Sequence, residues 1–167
     1  MNIADTRQDF VVTRILGTPR QRVWDAWTQA ERLAHWWGPK ISQNRVLGLE
    51  LRPGGIFHYA MQFQPGHDTF GRFIFGEITA PERLVFISSF SDATGGVTRA
   101  PFSATWPLEV HNTLTLAETG GKTTLTLRGR PIKATEEELK TFADMNDSMQ
   151  EGFGGTFDQL AKHVAKT

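Results

Sequence analysis

The spacing of hydrophobic residues changes twice along the chain and divides it into three stretches. Phe10-Val-Val-Thr-Arg-Ile-Leu16 is rich in β-branched residues and predicts a first strand. Thr18-Pro19-Arg20-Gln21 has the form of a helix start, with Thr18 as N-cap, Pro19 at the first helical position and Gln21 closing a capping box. Val23, Trp24, Ala26 and Trp27 follow at helical spacing. The box form recurs from Thr28 to Glu31, predicting a second short helix that carries Leu33, Ala34, Trp36 and Trp37 and stops at Gly38-Pro39.

From Asn44 to Arg130 the period becomes two. Val46 to Leu51 ends at the turn Pro53-Gly54-Gly55. Phe57, Tyr59, Met61 and Phe63 alternate with His58, Ala60 and Gln62, as on a strand with one buried face. A loop is expected over Gln64 to Asp68, and two strands, Phe70 to Ile78 and Leu84 to Phe90, flank Ala80-Pro81-Glu82. Asp92 to Arg99 reads as a long polar connection. Trp106 to Leu116 and Thr123 to Arg128 form a hairpin around Thr119-Gly120-Gly121. Seven strands joined by short turns imply antiparallel pairing.

The third stretch is helical. Thr135-Glu136-Glu137-Glu138 is a capping box with acidic residues at the positive helix end. Leu139, Phe142, Met145, Met149, Phe153, Phe157, Leu160 and Val164 then fall on one stripe. A single helix from about Glu136 to Lys166 would span roughly 45 Å. A sheet with one apolar face and a helix with one apolar stripe must cover each other. The expected fold is α+β: a curved seven-stranded antiparallel sheet around a long C-terminal helix, with two short helices after the first strand.

Length and composition narrow the function. The 167 residues suit one domain, 1–167, with its core at about 10–164. Lys plus Arg and Asp plus Glu number 18 each and are intermixed, so no field recruits nucleic acid. With no cysteine, disulfides and thiolate chemistry are excluded. Positions 1–10 are polar and unlike a signal peptide, and no apolar run reaches the length of a membrane span. A cytoplasmic location is expected. Twelve Phe and five Trp against a single Tyr supply aromatic surface that either fills a core or lines an apolar pocket.

The element order, with several words in the sequence, resembles the START-like or SRPBCC superfamily, the birch-pollen-allergen fold. The words are Pro19-Arg-Gln-Arg-Val-Trp-Asp-Ala-Trp27, Glu31-Arg-Leu-Ala-His-Trp-Trp-Gly-Pro39, Pro53-Gly-Gly-Ile-Phe57, Gly76-Glu-Ile78, Pro81-Glu-Arg-Leu-Val-Phe86 and Gly152-Phe153. Within the superfamily the chain is similar to the family named for the activator of heat-shock protein 90 ATPase homologue, in its bacterial single-domain form. The resemblance implies a helix-grip fold with a cavity between sheet and helix. Superfamily members bind lipids, hormones and polyketides, and a few catalyse cyclisation, condensation or dehydration. Eukaryotic members contact the chaperone as part of a larger protein.

Candidate ligand-binding residues follow from the apolar rows. Trp36 and Trp37 either line the cavity entrance or plug the sheet end, and both can hold because neighbours on a helix point about 100° apart. On the strands the inward candidates are Phe57, Tyr59, Met61, Phe73, Phe75, Phe86 and Trp106, with Tyr59 offering the one phenol. On the helix they are Met145, Met149 and Phe153. Gly152, Gly154 and Gly155 each cost a helix about 1 kcal/mol relative to Ala, which leaves ligand space, close approach or a kink as explanations.

No residue set reads as a catalytic centre. The five histidines, His35, His58, His67, His111 and His163, lack metal spacing, so no metal and no cofactor are expected. Glu77, Glu109, Asp144 and Asp147 read as solvated carboxylates. The expected function is a cavity protein for an unidentified small hydrophobic molecule. The alternatives are a lyase, cyclase or hydrolase on an aromatic or polyketide-like substrate, with Tyr59 or a carboxylate as acid/base, and a chaperone-associated interaction protein. Free sheet edges leave room for a homodimer.

Overall fold

The computed structural model describes residues 9–166, so the reading of the polar positions 1–8 lies outside the described residues. The order is β1 (Phe10–Leu16), α1 (Arg20–Thr28), α2 (Ala30–Trp36), β2 (Gln43–Leu49), β3 (Ile56–Gln64), β4 (His67–Thr79), β5 (Arg83–Ser91), β6 (Val97–Thr98), β7 (Glu109–Thr119), β8 (Lys122–Ile132), α3 (Glu136–Asp144) and α4 (Asn146–Lys166). The strands form one antiparallel sheet ordered β1-β8-β7-β5-β4-β3-β2, and this α+β arrangement is a helix-grip fold. No helix of the described residues is long and apolar enough to cross a membrane.

Seven strands lie on the main path, and the eighth, β6, is a two-residue strand that pairs only with β5. It lies within the expected polar connection, where Gly95 and Gly96 let the chain fold back on Ser91. The expected loop at Gln64 to Asp68 shrinks to a tight turn, because His67 already pairs with Gln64. Register shifts at Val46/Gly48 in β2 and at Phe75/Ile78 in β4 interrupt the ladders, and such bulges bend a sheet.

Two of the three expected capping boxes do not form. Thr18 leaves Pro19 as the N-cap of α1, and Gln21 donates to Asp25 instead. The Thr28 hydroxyl donates back to the Trp24 carbonyl, and Gln29 caps α2. Both threonines are buried at helix junctions where tertiary packing sets their contacts. The third box forms in full: the Thr135 hydroxyl accepts from the Glu138 N–H, and the Glu138 carboxylate accepts from the Thr135 N–H.

The expected single terminal helix is two. At Met145 the backbone leaves helical geometry, with φ −90° and ψ 6°, and the chain restarts at Asn146. Asp144, Asn146, Asp147 and Ser148 surround the break, all of them residue types of low helix propensity. The remaining 21-residue helix is about 31 Å long.

α4 is held at specific points. Asp158 accepts from Arg14 of β1 at 2.6 Å and from Lys40 at 3.0 Å. Gln150 donates to the Val11 carbonyl, so this helix covers part of the outer edge of β1. Thr156 and Gln159 donate to the Gly38 carbonyl. Gly38 has φ +107°, and a Cβ there would strike the Asn44 side chain, so the turn after α2 requires glycine.

Candidate functional site

The cavity comes from uneven packing along α4. In its second half Phe157, Leu160 and Val164 are buried within the core formed with α1 and α2. Trp27 is central there, with ring centroids 4.9 Å from Trp36 and 6.2 Å from Phe157. In the first half Met149 and Phe153 are only half-buried. Between them and the concave sheet face lie two lobes of about 200 Å³ each. An engineered apolar cavity of about 150 Å³ already accepts benzene, so each lobe has the size of a small organic group. Tyr59, Met61, Met149 and Phe153 line both lobes and form the partition between them.

The first lobe lies over β5, β7 and β8 and is flanked by α3 and the segment after β6. Phe142 of α3 and Trp106 meet with centroids 5.3 Å apart, and Trp106 packs on Phe102 at 5.6 Å. Polar contacts fasten this end. Arg99 donates to the Glu138 carboxylate at 2.5 Å and to the Trp106 carbonyl at 3.1 Å, and the Thr105 and Thr141 hydroxyls are 2.8 Å apart. Glu138 is buried, yet the Thr135 N–H and then the Arg99 guanidinium hold its carboxyl below the usual carboxylate range.

The floor of this lobe carries a polar cluster. Asn112 is 7% exposed, and its amide nitrogen donates to the Ser88 hydroxyl at 2.9 Å and to the Val110 carbonyl at 3.0 Å. A carbonyl can only accept, so the Val110 contact fixes which end of the amide is nitrogen. Gly129 pairs with Asn112 across β7 and β8 and also lines the lobe.

The second lobe opens beside the α2–β2 turn and is lined by Trp37, Gly38, Pro39, Gly152 and Thr156 besides the partition. Tyr59 is wedged among Trp37, Phe57 and Phe73, with ring centroids at 5.7, 4.9 and 5.9 Å. Its ring lies directly over Gly71, its register partner on β4, where a Cβ would come within 2.5 Å of Cζ and the hydroxyl. Burial pushes the Tyr59 phenol well above its ordinary value. The Trp37 N–H opposes that rise without completing a hydrogen bond to it.

Of the residues singled out from the sequence, the structure brings Trp37, Tyr59, Met61, Trp106, Met149 and Phe153 together around the lobes. It places the others elsewhere. Trp36 is buried and donates its N–H to the Ala26 carbonyl at 2.9 Å. Phe57, Phe73, Phe75 and Phe86 point inward but are packed against one another, and Phe73 stacks on Phe86 at 4.0 Å. They support the floor of the site without lining it. Met145 sits at the break between α3 and α4 and lines neither lobe. Trp106 precedes β7 instead of belonging to it.

Several lining residues were not singled out: Phe10, Ser88, Ser89, Phe90, Val110, Asn112, Gly129 and Phe142 in the first lobe. A signal for the polar ones does exist. On β5, β7 and β8 the inward rows run Leu84-Phe86-Ser88, Leu116-Leu114-Asn112 and Leu125-Leu127-Gly129. Each row is interrupted there by a small or polar residue, with Phe90 and Val110 resuming the apolar lining beyond, and the register makes Ser88, Asn112 and Gly129 neighbours. His35 and His163 stack at 5.6 Å but line neither lobe, and burial lowers the His163 imidazole below its ordinary value. Glu77 pairs with Arg83 and Asp144 with Lys140 on exposed surfaces.

Comparison with known proteins identifies the chain's relatives. Residues 17–165 match the family described as "Activator of Hsp90 ATPase homolog 1-like protein". No curated protein sequence matches the chain. Among solved structures, a protein from Arthrobacter aurescens superposes with a TM-score of 0.80 at 24% identity, covering 100% of this chain and 91% of that one. Protein Ms6760 from Mycobacterium smegmatis gives 0.75 at 24%, covering 94% and 90%. DynU16, a protein in the dynemicin biosynthetic locus, gives 0.65 at 20%, covering 95% of this chain and 47% of its own. At these identities the likeness is one of fold.

Proposed function

The chain belongs to the Activator of Hsp90 ATPase homolog 1-like family, and we propose that it holds a small hydrophobic molecule in the two-lobed cavity between α4 and the concave sheet face. The observation that carries this reading is the uncharged wall. Among the described residues no carboxylate, imidazole, ammonium or guanidinium group lines either lobe. The one titratable group there is the Tyr59 phenol, which its burial keeps protonated. Such a wall favours an apolar guest and offers no group that exchanges protons near neutral pH.

Contacts along α4 also hold the cavity open. α4 is tied to β1 through Arg14 and Asp158 and to the α2–β2 turn through Thr156 and Gln159, contacts that oppose a closer approach of Met149 and Phe153 to the sheet. Met61 and Met149 give the partition flexible, polarisable walls that adapt to a guest. The fold shared with DynU16, from a biosynthetic locus, agrees with a small-molecule role.

Native mass spectrometry and thermal melting against a panel of lipids and aromatic and polyketide-like molecules test this function. A guest present at a hundred times its dissociation constant stabilises the folded state by about 2.7 kcal/mol, which raises Tm by roughly 5–10 °C for a domain of this size. Met149→Trp should fill the partition and abolish that rise while the protein stays folded. A protein that is always ligand-free and whose melting no compound shifts would refute the proposal.

A further inference from the structure

The polar cluster on the floor of the first lobe names the chemistry of the guest, an inference that rests on the storage function proposed above. Asn112 uses both hydrogens of its amide nitrogen, on Ser88 and Val110. Its carbonyl oxygen therefore points the other way, over Gly129, where a Cβ would lie 3.0 Å from it. That oxygen accepts no hydrogen bond from the described residues, although the side chain is more than nine-tenths buried. Ser88 receives the Asn112 N–H on its oxygen, which leaves its own hydrogen free to donate. The floor thus offers one acceptor and one donor side by side, in a lobe whose other polar side chains are the Ser89 hydroxyl and the Tyr59 phenol.

We propose that Asn112 and Ser88 form the polar anchor of the cavity, and that the guest is a neutral, largely apolar molecule whose single hydroxyl donates to the Asn112 carbonyl and accepts from the Ser88 hydroxyl. An alcohol or phenol satisfies both groups at once. A hydrocarbon leaves both unsatisfied and buried, which is costly. A carboxylate cannot donate to Asn112 and finds no cation in the wall. An apolar lining likewise disfavours a guest anion.

Equilibrium dialysis of the intact protein with naphthalene, 2-naphthol and 2-naphthoate at neutral pH tests this. These probes share one ring system and differ only in the polar group. Naphthalene leaves water more readily, so a preference for the naphthol must come from the anchor. The native protein should bind 2-naphthol roughly tenfold more tightly than naphthalene, with 2-naphthoate weakest. Asn112→Leu should erase the difference while naphthalene binding survives, and Ser88→Ala should shrink it in the same direction. Equal binding of naphthalene and 2-naphthol by the native protein, or tightest binding of the naphthoate, overturns the anchor and leaves the storage function standing. Failure of all three to bind overturns the anchor, and the storage function falls with it only if the wider panel of lipids and polyketide-like molecules also leaves melting unchanged.

Discussion

Replacing Gly71 by alanine places a methyl group where the Tyr59 ring now lies. The new Cβ would stand 2.5 Å from Cζ and from the hydroxyl oxygen and 2.7 Å from Cε2. Carbon atoms pack best at about 3.5–4.0 Å, so the ring must retreat by about 1 Å. Trp37, Phe57 and Phe73 hold it on the other sides, and Phe73 is itself stacked on Phe86. Overpacking of this kind costs about 1–3 kcal/mol. For a domain of this length that lowers Tm by roughly 2–12 °C. The control is the same change beside Tyr59→Leu, where the shorter side chain leaves room for the methyl group. There the cost should vanish, and alanine should instead stabilise the strand by about 0.5–1 kcal/mol relative to glycine. Urea unfolding of the four proteins in the cycle measures the coupling. An equal loss in both backgrounds, or no loss beside native Tyr59, would refute the claim that this ring occupies the space that Gly71 leaves.

Two further predictions concern α4 and α3. Gly154→Ala should stabilise the protein by up to about 1 kcal/mol, because a Cβ there meets no atom within 4 Å and alanine is the better helix former. Thermal melting checks this, and a lower Tm would show that the glycine answers a constraint other than space. Glu138→Gln should flatten the acid limb of stability against pH. The Thr135 N–H and Arg99 depress the folded-state value of Glu138 below its unfolded one. Its contribution is therefore full above the unfolded carboxylate range of about 4.3 and fades as pH falls through the lower, folded value. Urea midpoints measured across the acid range decide it, and parallel profiles for native and variant protein would count against the pairing.

Strand and helix positions were legible wherever a periodic face meets one continuous core. β1 runs over the residues that the β-branched run Phe10–Leu16 marks, and the Thr135 box caps α3 through bonds that are local in sequence. The pair Trp36 and Trp37 shows the limit. Both are buried, but only the backbone at Trp37, extended at φ −70° and ψ 135° after the end of α2, turns its ring toward Tyr59 and the cavity. Likewise Phe57, Phe73, Phe75 and Phe86 share the inward parity of the lining residues, and parity says which face a side chain is on, not whether space remains beyond it.

Periodicity by itself determined the α+β pairing of a sheet with a helix, since each apolar face demands a partner, and the family resemblance carried by the sequence words implied the helix-grip form. Tertiary structure alone decided where that covering is incomplete. The break at Met145, the anchors of α4 on Arg14 and Gly38, and the register that makes Ser88, Asn112 and Gly129 neighbours are all set by contacts between residues far apart in the chain. A cavity is the volume such contacts fail to fill, and its polar floor arises where apolar rows are interrupted by residues that only strand pairing brings together.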